Sequence, residues 1–158
     1  MPEKKTLDRA RRDRRRGKSA STQAGEFVRE EIEHVREGKH GARSTKQAIA
    51  IGLSKARRAG VKLSPPARGR TSSSTRRQAE RDLARGEKRA ARPGSRAKKT
   101  SVARSRGAKR ALAKEGRSAA SPTSLARQGR AAARKRTAAE RSASAKKAAR
   151  TRKASRRK

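Results

Sequence analysis

His34 and His40 are the only histidines of the chain, and cysteine is absent. A zinc site needs three or four nitrogen, sulfur or oxygen donors at spacings that bring them around one ion, and this pair matches no such signature. The two are read as structural or solvated side chains, with no metal. Gly17-Lys18-Ser19 has the form of the end of a phosphate-binding loop, in which the lysine and hydroxyl would hold a nucleotide phosphate and its magnesium ion. The glycine required five positions earlier is Arg12, and no strand precedes it, so nucleotide hydrolysis is not expected. Glu26, Glu30, Glu33 and Glu37 fall on one stripe of a helix. Paired carboxylates do acid and base work only where their surroundings drive their pKa values apart. Here Glu26 to Arg29, Arg29 to Glu33 and Glu33 to Arg36 sit at helical neighbour spacing, which reads as ordinary local pairing. The rival reading is an outer acidic stripe that steers this face away from a polyanion. No nucleophile has a placed base, so we expect no enzyme, no cofactor and no small-molecule substrate.

What remains is charge. The 158 residues include 50 Lys and Arg against 13 Asp and Glu, a net charge of +37. Self-repulsion of that size opposes compaction, while a phosphate backbone offers a regular array of opposite charge. Arginine supplies 33 of the basic residues, and its planar fork binds phosphate bidentately where lysine acts as a point charge. Phe27 is the only aromatic residue. The stacking platforms of RNA-recognition sheets and single-strand-binding barrels are therefore excluded. Duplex DNA is the expected partner, with structured RNA as the alternative. Binding is assigned collectively to Arg57, Arg58, Arg76, Arg77, Lys98, Lys99, Arg134, Lys135, Arg136, Lys146, Lys147, Arg156 and Arg157.

The elements that would carry these charges follow from the apolar residues. Between Thr22 and Leu63 stand nine large ones: Phe27, Val28, Ile32, Val35, Ile49, Ile51, Leu53, Val61 and Leu63. Only four follow: Leu83, Val102, Leu112 and Leu125. The spacing of Ala24, Phe27, Val28, Ile32 and Val35 predicts a helix over about 22–37, capped by Ser21 or Thr22 and stopped at Gly38. A second helix is expected over about 45–59, opened by the Ser44 and Gln47 capping box and closed by Gly60. Its small residues Ala48, Gly52, Ala56 and Ala59 allow close approach of the first, so the two form a hairpin. Pro65 and Pro66 end it. Beyond them, Thr75 with Gln78 and Ser121 with Pro122 mark weaker helix starts, Gly86 a stop.

The domain reading is a basic N-terminal arm over 1–21, the hairpin over 22–63 and an Ala, Arg, Lys and Ser-rich basic tail over 64–158. The fold class expected is mostly disordered with α-helical segments, a small N-terminal hairpin and no sheet.

One segment is specific. Gly25-Glu-Phe-Val-Arg-Glu-Glu-Ile and Ser44-Thr-Lys-Gln-Ala-Ile-Ala-Ile within Gly38–Gly60 resemble a short domain of unknown function found in basic bacterial proteins. The resemblance covers about the first two fifths of the chain and implies bacterial origin without bringing an activity. The tail resembles that of a linker histone, in composition only. A helix-turn-helix would put Lys46 and Gln47 near base edges, but the connector is long and a third helix is lacking.

The function expected is sequence-nonspecific DNA binding by a nucleoid-associated, histone-like protein that neutralises phosphates and compacts the duplex. The alternatives are a binder of structured RNA or ribosomes, and a protein-interaction adaptor whose hairpin carries specificity. Two short helices cover each other incompletely, so weak self-association through the hairpin is also expected. No segment reaches the 18 or so apolar residues of a membrane span and no signal-peptide core is present, so the expected location is cytoplasmic, at the nucleoid.

Overall fold

A computed structural model describes residues 2–91 and 102–155. Among these residues the chain forms seven α-helices, one 3-10 turn and no strand. They are α1 (Lys4–Arg15), α2 (Ala20–Arg36), α3 (Thr45–Arg58), α4 (Ser73–Ala91), α5 (Val102–Ala113), the turn η1 (Ser118–Ala120), α6 (Pro122–Arg134) and α7 (Ala138–Ser155). The expectation of a mostly disordered chain is thereby corrected. Helix α1 replaces the arm, and α4 to α7 occupy most of the described tail. A census of large apolar side chains misses what orders them, since alanine, arginine and lysine are strong helix formers and helices can be held by small residues and polar bonds. The caps are local as well: Ser72 accepts from the Thr75 N–H at 3.2 Å, and Thr137 from the Glu140 N–H at 3.2 Å.

The chain divides into two compact units, Met1–Ser121 and Pro122–Lys158. In the first, the expected hairpin is present. Ser44 caps α3 by accepting from the Gln47 N–H at 3.2 Å, while Gln47 Oε1 accepts from the Arg43 N–H at 2.8 Å. The α2 cap is Ser19, two or three residues ahead of the expected one. Gly38 and Gly60, with φ of +76° and +93°, end α2 and α3 in the left-handed conformation that favours glycine. Gly52 lets the two helices touch: a Cβ there would lie 2.7 Å from Val28 Cα.

Helix α1 packs on α2, α4 on α3, and η1 on both. Phe27, Ala24, Ala56, Ala10 and Val61 form a buried cluster, flanked by Leu7, Ala20, Leu53, Ala59 and Leu63. Burying Phe27, 1% exposed, contributes about 1.5–3 kcal/mol. Helix α4 runs through Gly86 instead of stopping there, because the bare glycine lies against the Arg57 carbonyl, where any side chain would collide. The Thr45 hydroxyl donates to Ala119 O at 2.6 Å and Arg36 Nε to Ala120 O at 2.9 Å, which fixes η1 over the hairpin. The Gly41 and Ala42 amides donate to Leu112 O and Gly116 O, so the end of α5 closes over the connector between α2 and α3. Helices α1 and α4 and the turn η1 pack on the hairpin and bury Ile32, while Val28, Ile49 and Leu53 stay half-buried.

In the second unit, Pro122 occupies the first position of α6, where its missing N–H costs nothing. Thr137 and Glu140 form a reciprocal capping box at α7, with the Thr137 N–H donating to Glu140 Oε2 at 2.9 Å. Neither helix contains a fully buried residue among those described. Both are solvated supports for charge.

Candidate nucleic-acid interface

The fold sorts charge by sign. Among the described residues four acids, Asp13, Glu30, Glu31 and Asp82, are buried, against one base, Arg57. Each buried acid meets a cation: Asp13 lies 2.8 Å from Lys18 Nζ, Glu30 accepts from Lys55 Nζ at 3.2 Å and Glu31 lies 2.6 Å from the same nitrogen, and Asp82 lies 3.7 Å from Arg58 Nε. The Ser54 hydroxyl also donates to Asp82. The acidic stripe on α2 is therefore only half outward. Glu30 is 1% exposed and faces α1, where the Glu3 N–H donates to it at 3.1 Å, and Glu26 pairs across to Arg9 at 3.0 Å. Glu33 and Glu37 stay exposed beside Arg29 and Lys39.

Titration follows these contacts. Burial alone would raise the Glu30 pKa, but the neighbouring Thr6 side chain, the bond from the Glu3 amide and the Lys55 charge hold it below the ordinary carboxylate value. Bonds from His34 and Lys39 lower that of Glu3, and Glu37 and Glu3 raise that of Lys39.

Of the residues assigned to binding, Arg57 is turned inward. It is 6% exposed, its Nε donates to Leu63 O at 3.0 Å and its Nη2 to Ser64 O at 3.3 Å, and burial lowers its pKa against the opposing charge of Asp82. Its role is to tie the segment after α3 back to the core. Arg58 is exposed but leans on Ser54 O and Asp82, and Arg76 is partly buried beside Glu80 at 2.8 Å. Arg77, Arg134, Lys135, Arg136, Lys146 and Lys147 are exposed. Lys98, Lys99, Arg156 and Arg157 lie outside the described residues.

Additional exposed bases were not singled out: Arg11, Arg12, Arg14 and Arg15 on α1, and Arg81, Arg85, Lys88 and Arg89 on α4. In α1 the face formed by Thr6, Ala10 and Asp13 is buried, so the helix turns its arginines outward, a pattern visible in the spacing of those three residues. Every basic residue from Arg127 to Lys153 is exposed, and the one acid of that stretch, Glu140, caps α7.

Base readout by α3 is sterically obstructed. Its N-terminal turn is covered by the segment that follows α5, with Thr45 buried under Ala119 and Glu115 lying 3.6 Å from Arg43. Gln47, proposed to reach a base edge, is bonded to the Arg43 amide, and only Lys46 projects into solvent. Phe27, the single aromatic ring, is in the core.

One grouping was missed. The turn at Gly38, closed by the Lys39 N–H donating to His34 O at 3.0 Å, returns the chain so that the His34 and His40 rings stand edge to face, 6.0 Å apart. Glu31 completes the group, its Oε1 lying 3.3 Å from His40 Nε2.

Among the described residues no helix is long and apolar enough to cross a membrane. A family model described as a family of unknown function (DUF6496) matches residues 3–68, a span that contains α1, α2 and α3. No curated protein and no solved structure matches the chain.

Proposed function

We propose that the protein binds duplex DNA without sequence preference, by presenting helices whose outward faces neutralise phosphates. The observation that carries this reading is the sorting of charge: carboxylates are drawn into the fold, so the outer surface is more positive than the composition alone requires. The ordered helices α6 and α7 hold exposed bases at fixed intervals, and α1 and α4 add further ones. Phosphate contacts fix a protein on the duplex and carry no sequence information, which suits a surface without aromatic wedges and with a covered recognition end on α3. Full neutralisation of +37 would engage about 18 base pairs at about two phosphates each.

The test is binding of the full chain to two unrelated duplexes across a salt series, with structured RNA as competitor at physiological salt. Engaging about ten phosphates gives a log-log salt slope near −9. We expect that slope on both duplexes with nearly equal affinities. Strong preference for one duplex with a shallow slope would overturn the reading, and displacement by RNA well below the equivalent DNA concentration would move the target to RNA.

A further inference from the structure

We propose that Glu31, His34 and His40 form a binding site for a zinc-class divalent cation. One donor atom from each of the three lies within 4.8 Å of the others. A tetrahedral ion bound at about 2.0–2.2 Å needs its donors about 3.4 Å apart, so the group must draw in by at most about 1.4 Å. The imidazoles are 13% and 20% exposed, so the group reaches solvent at one side.

Two observations beyond proximity point to a cation. The first is charge balance. Glu30 and Glu31, each 1% exposed, share the single ammonium of Lys55, two buried carboxylates to one lysine. Lys55 holds Glu31 through Oε2, and Oε1 is turned toward the histidines. The second is the state of Glu31 itself: both of its carboxylate oxygens are buried without a hydrogen bond among the described residues, and Oε1 is the one turned to His40 Nε2 at 3.3 Å, an unsatisfied buried acceptor aimed into the group. Gly41 O, 3.1 Å from His40 Nδ1, orients the ring with Nε2 toward that carboxylate. Glu3 Oε1, 2.8 Å from His34 Nε2, steadies the other ring in the way outer carboxylates orient metal-bound histidines. The site also lies at the C-terminal turn of α2, where the helix dipole favours positive charge. Two imidazoles with one carboxylate select zinc or a neighbouring transition ion over magnesium and calcium, which take oxygen donors, and leave a fourth position to solvent.

The experiment is a Zn2+ titration of the nucleic-acid-free full chain against a chelating indicator, with histidine ring signals followed by NMR. We expect one Zn2+ per chain, indifference to excess Mg2+, and shifts of both histidines on saturation. H34Q and H40Q should each weaken binding by at least about tenfold while leaving helix content and duplex affinity unchanged. Because Glu31 supports the core, the more exposed histidines carry the test, and the NMR readout uses the unmodified protein. Absence of saturable binding, histidine signals that ignore the metal, or a folded H34Q/H40Q variant that binds as the parent does would overturn the proposal.

Discussion

Lys55 Nζ on α3 lies 2.6 Å from Glu31 Oε2 on α2, and the same nitrogen reaches Glu30 Oε1 at 3.2 Å. One ammonium thus fastens two carboxylates that are each 1% exposed. Attraction between buried charges roughly offsets their desolvation, so the cluster adds little net stability while intact. Its removal is a different matter. K55M would leave both carboxylates buried without a cation, and we expect a loss of about 3–5 kcal/mol in urea unfolding. A variant as stable as the parent would show that the carboxylates escape to water.

Two glycines on facing helices should respond to alanine in opposite directions. Gly25, exposed within α2, has nothing within 4 Å of an added Cβ, so G25A should stabilise by about 0.5–1 kcal/mol through helix propensity. Gly52 faces the α2 backbone, with a Cβ 2.7 Å from Val28 Cα and 3.0 Å from Phe27 O. There the two helices must separate, and G52A should destabilise by about 1–3 kcal/mol. Thermal melts of both variants check the pair.

The hairpin was legible because its signals are local: the Ser44 and Gln47 cap, the apolar spacing of α2, and the glycines at 38 and 60. Helix α1 was hidden because its buried face uses threonine, alanine and aspartate, which weigh little in an apolar census. The tail helices were hidden for a related reason: η1 is seated by hydrogen bonds from Thr45 and Arg36, partners more than seventy residues away. Glu30 and Glu31 were unreadable as buried groups. A glutamate among glutamates on a helix with four acids and two arginines enters a core only when Lys55 and the Glu3 amide arrive from other elements to receive it. Likewise His34 and His40 matched no zinc spacing because their third member, Glu31, lies one turn before His34 on α2 and the connector folds back to bring His40 over the helix end.

Arg57 and Arg58 are adjacent in sequence and separated in role. Arg57 donates to the carbonyls of Leu63 and Ser64 from a buried position, whereas Arg58 is exposed. R57A should cost about 3–6 kcal/mol, the sum of two charge-assisted bonds lost, with unchanged duplex affinity of the folded fraction. The reverse pattern, full stability with weakened binding, would return Arg57 to the interface.

The last prediction concerns how binding energy is distributed over the exposed bases. Arg134, Lys135, Arg136, Lys146 and Lys147 are all exposed at the end of α6, in its connector and on α7. None supports a core, and glutamine is nearly as good a helix former as the residues it would replace. R134Q/K135Q/R136Q/K146Q/K147Q should therefore keep its helix content and unfolding midpoint while losing duplex affinity. Each phosphate contact removed lowers the magnitude of the log-log salt slope by about 0.9, so complete engagement of these five residues predicts a fall of about 4.5. The loss should be the same on unrelated duplexes, since phosphate contacts do not read bases. Single changes within the set should each cost at most about one fifth of that effect. A slope unchanged by all five substitutions would place the contacts on other exposed bases, among them Arg127, Arg130 and Arg141 and the outward arginines of α1 and α4.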